Sequence, residues 1–429
     1  MSSLEQIVSL AKRRGFIYPG SEIYGGLANT YDYGPLGVAL KKNIKDYWWK
    51  RFVLTSENMY GLDGGVLLNS KVWEASGHIE NFTDPLVECK KCHKRFRADQ
   101  LEEKKKCPEC GGELTEPMSF NGMFRTNIGA TEESRNIAYL RPETAQAIFI
   151  NFKNILNSFS PKLPFGIAQI GKAFRNEITL GYYVFRMLEF EQMEIEYFIN
   201  ESDWEKTFVF WQGEMLDFAK EIGINTKKLK FREHDASERS HYSKRTTDLE
   251  YEFPVGFKEL YGLAYRTDFD LKNHSKASGV DLTYLDSATG ERFFPHVIEP
   301  SFGLDRTILP VLLDAYSERD GKVVLKLSSK IAPIKAAVFP LLANKPELVE
   351  KARGIYKKLL SEFPTVWDAR GNIGKRYASQ DEIGTPWCIT VDFQTLEDDT
   401  VTMRDRDTGK QERIKTENLV ERIQMSFAS

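Results

Sequence analysis

Apolar residues recur at the three- and four-residue spacing of helices in several segments of the chain. Residues 35–52 (PLGVALKKNIKDYWWKRF) follow this pattern and begin at a proline. Residues 142–159 (PETAQAIFINFKNILNSF) predict another amphipathic helix, with Pro142 in its first turn. A further helix is predicted from about Leu304, with a kink or break at Pro310 because proline lacks an amide hydrogen.

Residues 165–199 alternate between two kinds of side chain and predict a long antiparallel hairpin. One face of the second strand is polar and aromatic and carries Arg186, Phe190, Gln192 and Glu194. The other face is apolar enough to pack on helices and carries Met193, Ile195, Tyr197 and Ile199. Four residues of strand cover about 13 Å, which suits an elongated ligand with a flat group over Phe190 and a cation beside Glu194. A solvated face with cross-strand ion pairs fits the pattern equally well.

The pattern changes near residues 319–333, after which short strands alternate with helices. A helix is predicted at 345–362, and RGNIGKRYASQDEIG at 370–384 is predicted as a polar turn. Such alternation is typical of a small α/β domain. We therefore predict a domain boundary near residue 328.

The composition is that of a globular chain, because 41% of the 429 residues are apolar and 28% are charged. No apolar run approaches the roughly 20 residues of a membrane-spanning helix, and the start MSSLEQIVSLAKRRGF lacks a signal-peptide pattern. We therefore expect a cytoplasmic protein without a membrane partner. The net charge of −3 neither favours nor excludes a nucleic-acid partner, because local patches matter more than totals.

A charge-rich insertion at residues 80–118 contains four of the five cysteines, in two C-x2-C pairs. In a cytosolic chain this spacing favours a closed tetrahedral zinc site with a structural role. A ribbon that keeps four reduced thiols and no metal is the alternative. The predicted ligands are Cys89, Cys92, Cys107 and Cys110.

Two stretches resemble signature motifs of a known enzyme family. FRNE at 174–177, followed by R-x3-F-x3-E at 186–194, resembles the second motif of class II aminoacyl-tRNA synthetases. EPSFGLDR at 299–306 is similar to their third motif. Asp305 stands where glutamate is more common in that motif.

Two further stretches narrow the resemblance. YLRPETAQ at 139–146 resembles the amino-acid-binding loop of the class IIa group, and YDYGPLG lies at 31–37. In order and spacing the motifs most resemble the dimeric glycyl-tRNA synthetases, over almost the whole chain. No clear proline of the first signature motif is found, so a homodimer is implied by the family alone.

The resemblance implies an α+β catalytic domain of the class II synthetase type, built on an antiparallel sheet, over residues 1–328. The zinc-ribbon-like insertion at 80–118 would lie within it, and residues 329–429 would form a C-terminal α/β anticodon-binding domain. The implied enzyme is a ligase that activates glycine with ATP, aided by Mg²⁺, and transfers glycyl to the 3′ end of tRNA(Gly) for protein biosynthesis. Catalysis would rest on positioning and on neutralising charge at phosphorus, without a protein nucleophile.

The resemblance also implies the residues that bind ATP. Arg175 and Arg306 would be catalytic, the first at the α-phosphate and the second at the γ-phosphate. Phe190 would stack on adenine, Glu177 would accept from its amino group, and Glu259 would hold Mg²⁺ and ATP unless it is a surface acid. The implied set is Arg175, Asn176, Glu177, Phe185, Arg186, Phe190, Glu259, Leu260, Gly303, Asp305 and Arg306.

Glycine has no side chain, so specificity must come from its ammonium group and from a lack of room. The resemblance implies an acidic pocket of Glu143, Glu194 and Glu299, whose mutual repulsion should raise at least one pKa when the pocket is empty. Arg97 is either near this pocket or a surface arginine of the ribbon, and Arg266 is expected only as a structural support. The implied glycine-binding set is Arg97, Glu143, Gln192, Glu194, Glu299 and Ser301.

The C-terminal domain has no clear basic excess, so tRNA binding must depend on local contacts. Arg370, Lys375 and Arg376 are the best candidates for contacts to the anticodon, whereas Trp367 is more often a core residue than a stacking surface. Two alternatives remain open. One is a relative that lost catalysis and only binds nucleic acid, and the other is a synthetase for another amino acid of the same group.

Overall fold

The computed structural model describes residues 4–98, 101, 105–130, 136–177 and 182–428. None of the helices in these ranges combines the length and apolar content of a bilayer-spanning segment. The helices are α1 (Leu4–Arg14), α2 (Pro35–Trp49), α3 (Ser70–Ala75), α4 (His78–Asn81), α5 (Ala145–Phe159), α6 (Trp204–Glu221), α7 (Phe269–Ser278), α8 (Leu304–Ala315), α9 (Pro346–Leu360), α10 (Ile373–Ile383), α11 (Phe393–Asp398) and α12 (Leu419–Ala428).

The strands form several small sheets and two larger ones. They are β1 (Ile17–Pro19), β2 (Tyr31–Tyr33), β3 (Met59–Gly61), β4 (Leu67–Leu68), β5 (Thr83–Glu88), β6 (Arg95–Arg97), β7 (Met118–Asn121), β8 (Arg125–Ile128), β9 (Asn136–Leu140), β10 (Phe165–Phe174), β11 (Glu189–Ile199), β12 (Leu229–Glu233), β13 (Arg245–Phe253), β14 (Gly256–Thr267), β15 (Tyr284–Leu285), β16 (Arg292–Phe293), β17 (His296–Gly303), β18 (Tyr316–Arg319), β19 (Lys322–Leu325), β20 (Ala336–Pro340), β21 (Thr365–Trp367), β22 (Trp387–Val391), β23 (Thr400–Asp405) and β24 (Gln411–Lys415).

A seven-stranded sheet in the order β12-β13-β14-β17-β11-β10-β3 is the centre of the larger domain. Its pairs are antiparallel except for the edge pair of β10 with β3. The predicted hairpin is confirmed, because β10 and β11 pair from Phe165 opposite Phe198 to Phe174 opposite Glu189. This sheet gives the domain the antiparallel α+β architecture that the resemblance implies.

The two faces of β11 differ as the alternation predicts. Met193, Ile195 and Ile199 are almost fully buried in the main core, which also contains apolar residues of α2, α6 and α8. The opposite face ends at Phe198, which packs with α5 and α7 in a second core. Between that second core and the hairpin end, Phe190 and the polar residues that follow it face a cleft.

Two predicted helix details are wrong. α5 begins at Ala145, so Pro142 precedes the helix, and the intervening Glu143 and Thr144 are buried next to the cleft. α8 begins at Leu304 as predicted but continues through Pro310 without a break. Proline removes the hydrogen bond to the carbonyl four residues earlier and crowds that carbonyl, but the surrounding core holds the helix in place.

The C-terminal domain is an α/β unit, as predicted. Its five-stranded sheet has the order β21-β20-β22-β23-β24, with parallel pairs around β20 and antiparallel pairs beyond β22. The boundary near residue 328 stays a prediction and falls between β19 and β20.

The predicted polar turn at 370–384 is wrong, because most of it forms α10. The side chain of Asn372 caps the helix by accepting a hydrogen bond from the backbone N–H of Lys375, 2.9 Å away. The buried face of the helix is largely polar, since Arg376, Gln380 and Asp381 are all less than a tenth exposed. A helix with a polar buried face does not show the apolar periodicity by which helices are recognised.

Candidate functional site

The cleft lies on the central sheet, where β11, β14 and β17 present one face. β10 pairs with β11 and carries Arg175 just beyond its end. The lining residues include most of those predicted to bind ATP and glycine: Glu143, Arg175, Glu177, Phe185, Arg186, Phe190, Gln192, Glu194, Glu259, Leu260, Glu299, Ser301, Gly303, Asp305 and Arg306.

Phe190 and Arg175 define one end of the cleft. The guanidinium of Arg175 lies 5.3 Å from the ring centre of Phe190 and 5.5 Å from that of Phe82. Its Nε donates to the carbonyl oxygen of Pro142 at 3.0 Å, which ties the arginine to the segment before α5. An aromatic ring next to a fixed guanidinium suits a flat base attached to a phosphate.

Arg306 occupies the first turn of α8, where exposed backbone N–H groups also favour anions. Its guanidinium lies 4.6 Å from the ring centre of Phe185 and 2.9 Å from the carboxylate of Glu259 on β14. The side chain of Glu259 is half-exposed at the cleft, and Arg306 outweighs the partial loss of hydration there, so the pKa of Glu259 is lowered. The carboxylate is therefore ionised at neutral pH, as an oxygen ligand for Mg²⁺ must be.

Arg186 and Glu177 face each other across the mouth of the hairpin, with 3.9 Å between charged atoms. Part of the connecting segment lies outside the described residues. Both side chains line the cleft, so the structure brings together these two residues that were predicted to bind ATP.

Asp305 lines the cleft, but its carboxylate is already occupied. It accepts hydrogen bonds from Tyr33 at 2.6 Å, from Lys41 at 2.7 Å and from the backbone N–H of Glu191 at 2.6 Å. The side chain is also buried, with 3% of its surface exposed. Asp305 therefore positions β11 against α8, and the direct contact with ATP that the sequence predicts is not supported by its carboxylate.

Five of the predicted glycine-binding residues meet at the other end of the cleft. Glu194 on β11 pairs with Ser301 on β17, and Gln192 precedes Glu194 on the same face. Glu299 lies two residues from Ser301, also on the same face, and Glu143 reaches the site from before α5. Glu194 accepts a hydrogen bond from Thr144 at 2.5 Å. The four predicted acidic and amide side chains here are each less than a tenth exposed: Glu143, Gln192, Glu194 and Glu299.

Arg266 holds the acids at this end in place. Its guanidinium lies 2.8 Å from Glu299, 2.8 Å from Asp270 on α7 and 3.7 Å from Glu143, and no surface of the residue is exposed. Its expected supporting role is confirmed, but the sequence analysis missed the extent of the network. Other residues missed by the sequence analysis are His78, Gln146, Glu196, Tyr242 and Asp270.

Burial and mutual repulsion change the acidity of these carboxyl groups. Burial, followed by the charge of Glu143, raises the pKa of Glu194. Burial raises the pKa of Glu299 well above its usual range despite the opposing effect of Arg266. Glu143 behaves differently, because His78 and Arg266 outweigh its burial and lower its pKa. The expected rise of at least one pKa is therefore present.

Two predicted residues do not line the cleft among the described parts of the chain. Arg97 lies on β6 of the insertion and pairs with Asp84 at 3.0 Å. Asn176 donates its backbone N–H to Gly122 at 2.8 Å, and its side chain is not among the lining groups. The surface alternative therefore fits Arg97 better than a glycine contact.

The four cysteines of the insertion form a compact cluster beside the small sheet β6-β5-β7. All four sulfurs lie within 4.8 Å of one another, with Cys89 3.5 Å from Cys110 and Cys92 3.7 Å from Cys107. Zn–S bonds of about 2.3 Å in a tetrahedron place sulfurs about 3.8 Å apart. The cluster thus fits a four-thiolate metal site, and His93 is exposed and paired with Glu88 instead.

The three basic residues proposed for anticodon contacts have different environments. Arg370 is largely exposed and Lys375 is exposed, so both can reach a nucleic acid. Arg376 is buried, and its guanidinium donates to the carbonyls of Pro340, Ala369, Arg370 and Gly371. Its predicted contact with tRNA is therefore wrong, because its donors already satisfy backbone acceptors.

Trp367 is half-buried and packs against the core of the C-terminal domain. The guanidinium of Arg353 lies 3.9 Å from the centre of its ring system, and Tyr356 packs at its edge. The sequence analysis missed this contact of the exposed Arg353 with the half-buried Trp367, because the two residues come from different elements.

Two family models match the chain. The one described as "tRNA synthetase class II core domain (G, H, P, S and T)" matches residues 124–316, and the one described as "Anticodon binding domain" matches residues 335–425. Curated relatives named "Glycine--tRNA ligase" match nearly the full length. The relative from Clostridium acetobutylicum is 51% identical over 97% of each chain, and that from Caldanaerobacter subterraneus subsp. tengcongensis is 50% identical over 96% of each. The relative from Treponema denticola is 49% identical over 98% of this chain and 96% of its own.

Proposed function

Because the chain belongs to the class II aminoacyl-tRNA synthetases, within the family of glycine–tRNA ligases, we propose that it attaches glycine to tRNA(Gly) in two steps. The glycine carboxylate attacks the α-phosphorus of ATP, which gives glycyl-adenylate and pyrophosphate. The 3′-hydroxyl of the terminal adenosine of tRNA then attacks the glycyl carbonyl carbon, and AMP leaves. The observation that carries this proposal is one strand face that presents Phe190 at one end and the buried Glu194 at the other, within a single cleft.

The nucleotide end supplies the groups that the first step needs. Phe190 stacks on adenine and Glu177 accepts from its amino group, while Arg175 binds the α-phosphate. Because Arg175 is held by the carbonyl of Pro142, it neutralises developing charge at phosphorus with little reorganisation. Arg306, together with Arg186, binds the γ-phosphate.

Glu259 is the residue that would hold Mg²⁺. Mg²⁺, when bound, would neutralise charge on the phosphates. Arg306 pairs with Glu259 at 2.9 Å, so the residue that would hold Mg²⁺ and the arginine that binds the γ-phosphate lie side by side.

The glycine end recognises an ammonium group and excludes side chains. Glu194 and Glu299 receive the ammonium, Ser301 and Gln192 add polar contacts, and Glu143 completes the acidic wall. The side-chain oxygen of Gln192 has no partner among the described residues, so it can accept from the ammonium without losing another bond. Burial of these groups leaves little room beside the α-carbon, which disfavours alanine.

Three finer proposals follow from the family and from local features. The four-cysteine cluster binds one structural Zn²⁺ per chain, which total metal analysis would measure. The protein is a cytoplasmic homodimer, and the highly exposed apolar side chains of Ile23 and Tyr24 support a covered surface there. Arg370 and Lys375 contact the anticodon stem-loop of tRNA.

Glycine-dependent exchange of pyrophosphate into ATP tests the proposed activity without tRNA. We expect the purified protein to be active, and Arg175→Ala to lose on the order of 10²–10³-fold, as when one transition-state donor is removed. Arg370→Ala is the control and should exchange normally. A panel of amino acids distinguishes a synthetase of different specificity, and a correctly folded but inactive wild type would support the alternative that only binds nucleic acid.

A further inference from the structure

Glu196 is a buried carboxyl group for which the proposed reaction has no role. It lies on β11, two residues beyond Glu194 and on the same face, so it is about 7 Å further from the nucleotide end. It has no exposed surface, and neither side-chain oxygen has a hydrogen-bond partner among the described residues. An ionised carboxylate in such a place is costly unless a charge or a donor compensates it.

The sheet register explains why Glu196 has no partner. On one side β10 places Ile167 opposite Glu196. On the other side, the pairing of Glu194 with Ser301 and of Tyr197 with Ile298 puts Glu196 directly opposite Glu299. Two acids directly opposite each other repel when both are ionised. One oxygen each from Glu194, Glu196 and Glu299 lies within 4.8 Å of the others.

The charged groups packed around Glu196 are nearly all acidic. They are Glu194 on its own strand, Glu299 on β17, Asp270 on α7 and, on β14, Arg266. Arg266 is the cation among these groups, and its donors are already bonded to Asp270 and Glu299. Its charge partly offsets a negative charge on Glu196, but none of these groups donates a hydrogen bond to either Glu196 oxygen.

We propose, on the basis of the proposed function, that Glu196 positions the glycine site as a neutral carboxylic acid that directs its proton towards Glu299. A proton here removes the like-charge repulsion across β11 and β17. It leaves two ionised carboxylates, Glu194 and Glu299, to receive the single positive charge of the glycine ammonium. The same proton gives Glu299 a donor on the side away from the cleft, and so fixes the direction of its free lone pairs.

The proton belongs on Glu196 rather than on its neighbours. Burial, followed by the charge of Glu299, raises the pKa of Glu196 well above its usual range. The pKa of Glu299 is raised too, but Arg266 donates to Glu299 at 2.8 Å and favours its ionised form. Glu194 similarly accepts from Thr144. Of the three acids, Glu196 has the fewest groups that stabilise a charge.

Glycine kinetics in the pyrophosphate-exchange assay separate a neutral from an ionised Glu196. Glutamine copies the neutral acid in shape and keeps a donor, so Glu196→Gln should leave the KM for glycine within about threefold of wild type. Glu299→Gln, the matched change on the opposite strand, should raise that KM by at least about tenfold. A comparable rise in both variants would show that Glu196 acts as a charge and would overturn the proposal.

The dependence of stability on pH tests the proton itself and does not require activity. Where a carboxyl pKa is raised in the folded state, the native protein binds more protons than the unfolded chain above pH about 4.3, so stability falls as the pH rises towards the folded pKa. The melting temperature of Glu196→Gln should therefore increase relative to that of wild type as the pH rises from 5 to 8. Glu57→Gln, the same substitution at an exposed turn, is the control.

Infrared difference spectra give an independent readout. Wild type minus Glu196→Gln at pH 7 should contain the carbonyl stretch of an un-ionised carboxylic acid. Absence of that band, or a melting-temperature gap that does not change with pH, would overturn the proposal. If wild type instead shows no glycine-dependent exchange while the band is present, the proposed activity fails and the protonated Glu196 stands.

Discussion

The arginines at the two ends of the cleft differ in exposure and in the number of their ionic partners. At the nucleotide end Arg175 and Arg306 are partly exposed, lie against aromatic rings and have few ionic partners. At the glycine end Arg266 is fully buried and surrounded by Glu143, Asp270 and Glu299. An arginine that binds a phosphate needs N–H groups without other acceptors. An arginine that holds acids in a fixed arrangement needs N–H groups that already bond to those acids.

The same comparison explains how one face of β11 serves two ligands. An anionic nucleotide can be bound by guanidinium groups that remain partly hydrated, because phosphate charge is large and spread over several oxygens. A glycine ammonium offers only one charge and no side chain, so the site must supply an excess of dry carboxylates. Burying several carboxylates together is unfavourable. The positive charge of Arg266 offsets part of this, and the raised pKa values of the acids favour their neutral forms.

The largest difference between the two ends should appear when each arginine is replaced by methionine. Arg266→Met leaves several buried acids without their cation and should lower the free energy of unfolding by about 3–5 kcal/mol. Arg306→Met removes a partly exposed ion pair and should lower it by less than about 1 kcal/mol. Denaturant titration measures both, and equal losses would contradict the distinction.

Kinetics should rank the two variants in the opposite order to stability, because Arg306 contributes more than Arg266 to the binding of ATP. Arg306→Met should raise the KM for ATP in pyrophosphate exchange while the protein stays folded. Any residual exchange by Arg266→Met should instead show a raised KM for glycine. Effects on the same substrate for both variants would mean that the two ends do not work separately.

A smaller, pH-dependent difference is expected for Asp248, a buried acid at the nucleotide end. Burial, followed by the charge of Glu259, raises its pKa to about 6, although His234 lies 2.7 Å away. The native protein therefore binds more protons than the unfolded chain between pH about 3.9 and about 6, and wild-type stability falls as the pH rises through this window.

Asp248→Asn lacks this titration, so its stability relative to wild type should rise by at most roughly 3 kcal/mol across that window and then level off. Unfolding titrations at several pH values measure the gap. A gap that stays constant from pH 4 to pH 7 would show that the pKa of Asp248 is not raised in the folded protein.

The smallest kinetic effect is expected in the C-terminal domain, where the exposed Arg370 contrasts with the buried Arg376. Arg370→Ala should raise the KM for tRNA a fewfold, because it removes one exposed phosphate or base contact of about 1 kcal/mol, and leave stability unchanged. Arg376→Ala should lower stability, because four backbone carbonyls lose their donor. Aminoacylation kinetics and thermal melting separate the two, and an effect of Arg370→Ala on pyrophosphate exchange would contradict the account.

The strand face of the cleft could be predicted from the sequence because its signal is local. Side chains alternate along β11, so Phe190, Gln192 and Glu194 had to share a face whatever the rest of the chain did. The burial of Met193 and Ile195 against the helices follows from the same alternation. Resemblance to a family then supplied the chemistry that the alternation alone left open.

The acid network could not be predicted in this way, because its members come together only in the folded chain. Arg266 ends up between Asp270, Glu143 and Glu299 through the packing of β14, α7 and β17. Glu196 has the same parity as Glu194, and that was the one local signal for it. α10 was missed for a related reason, since its buried face is polar and pairs with groups far away in sequence.

The most direct test of the cleft is the binding of a non-hydrolysable glycyl-adenylate analogue, measured by calorimetry. The account predicts one site per chain, with affinity that falls at least tenfold in Phe190→Ala and again in Glu194→Gln, and an alanyl analogue that binds much more weakly. Equal binding of the two analogues, or binding that neither substitution weakens, would contradict the assignment of this strand face to glycine and ATP.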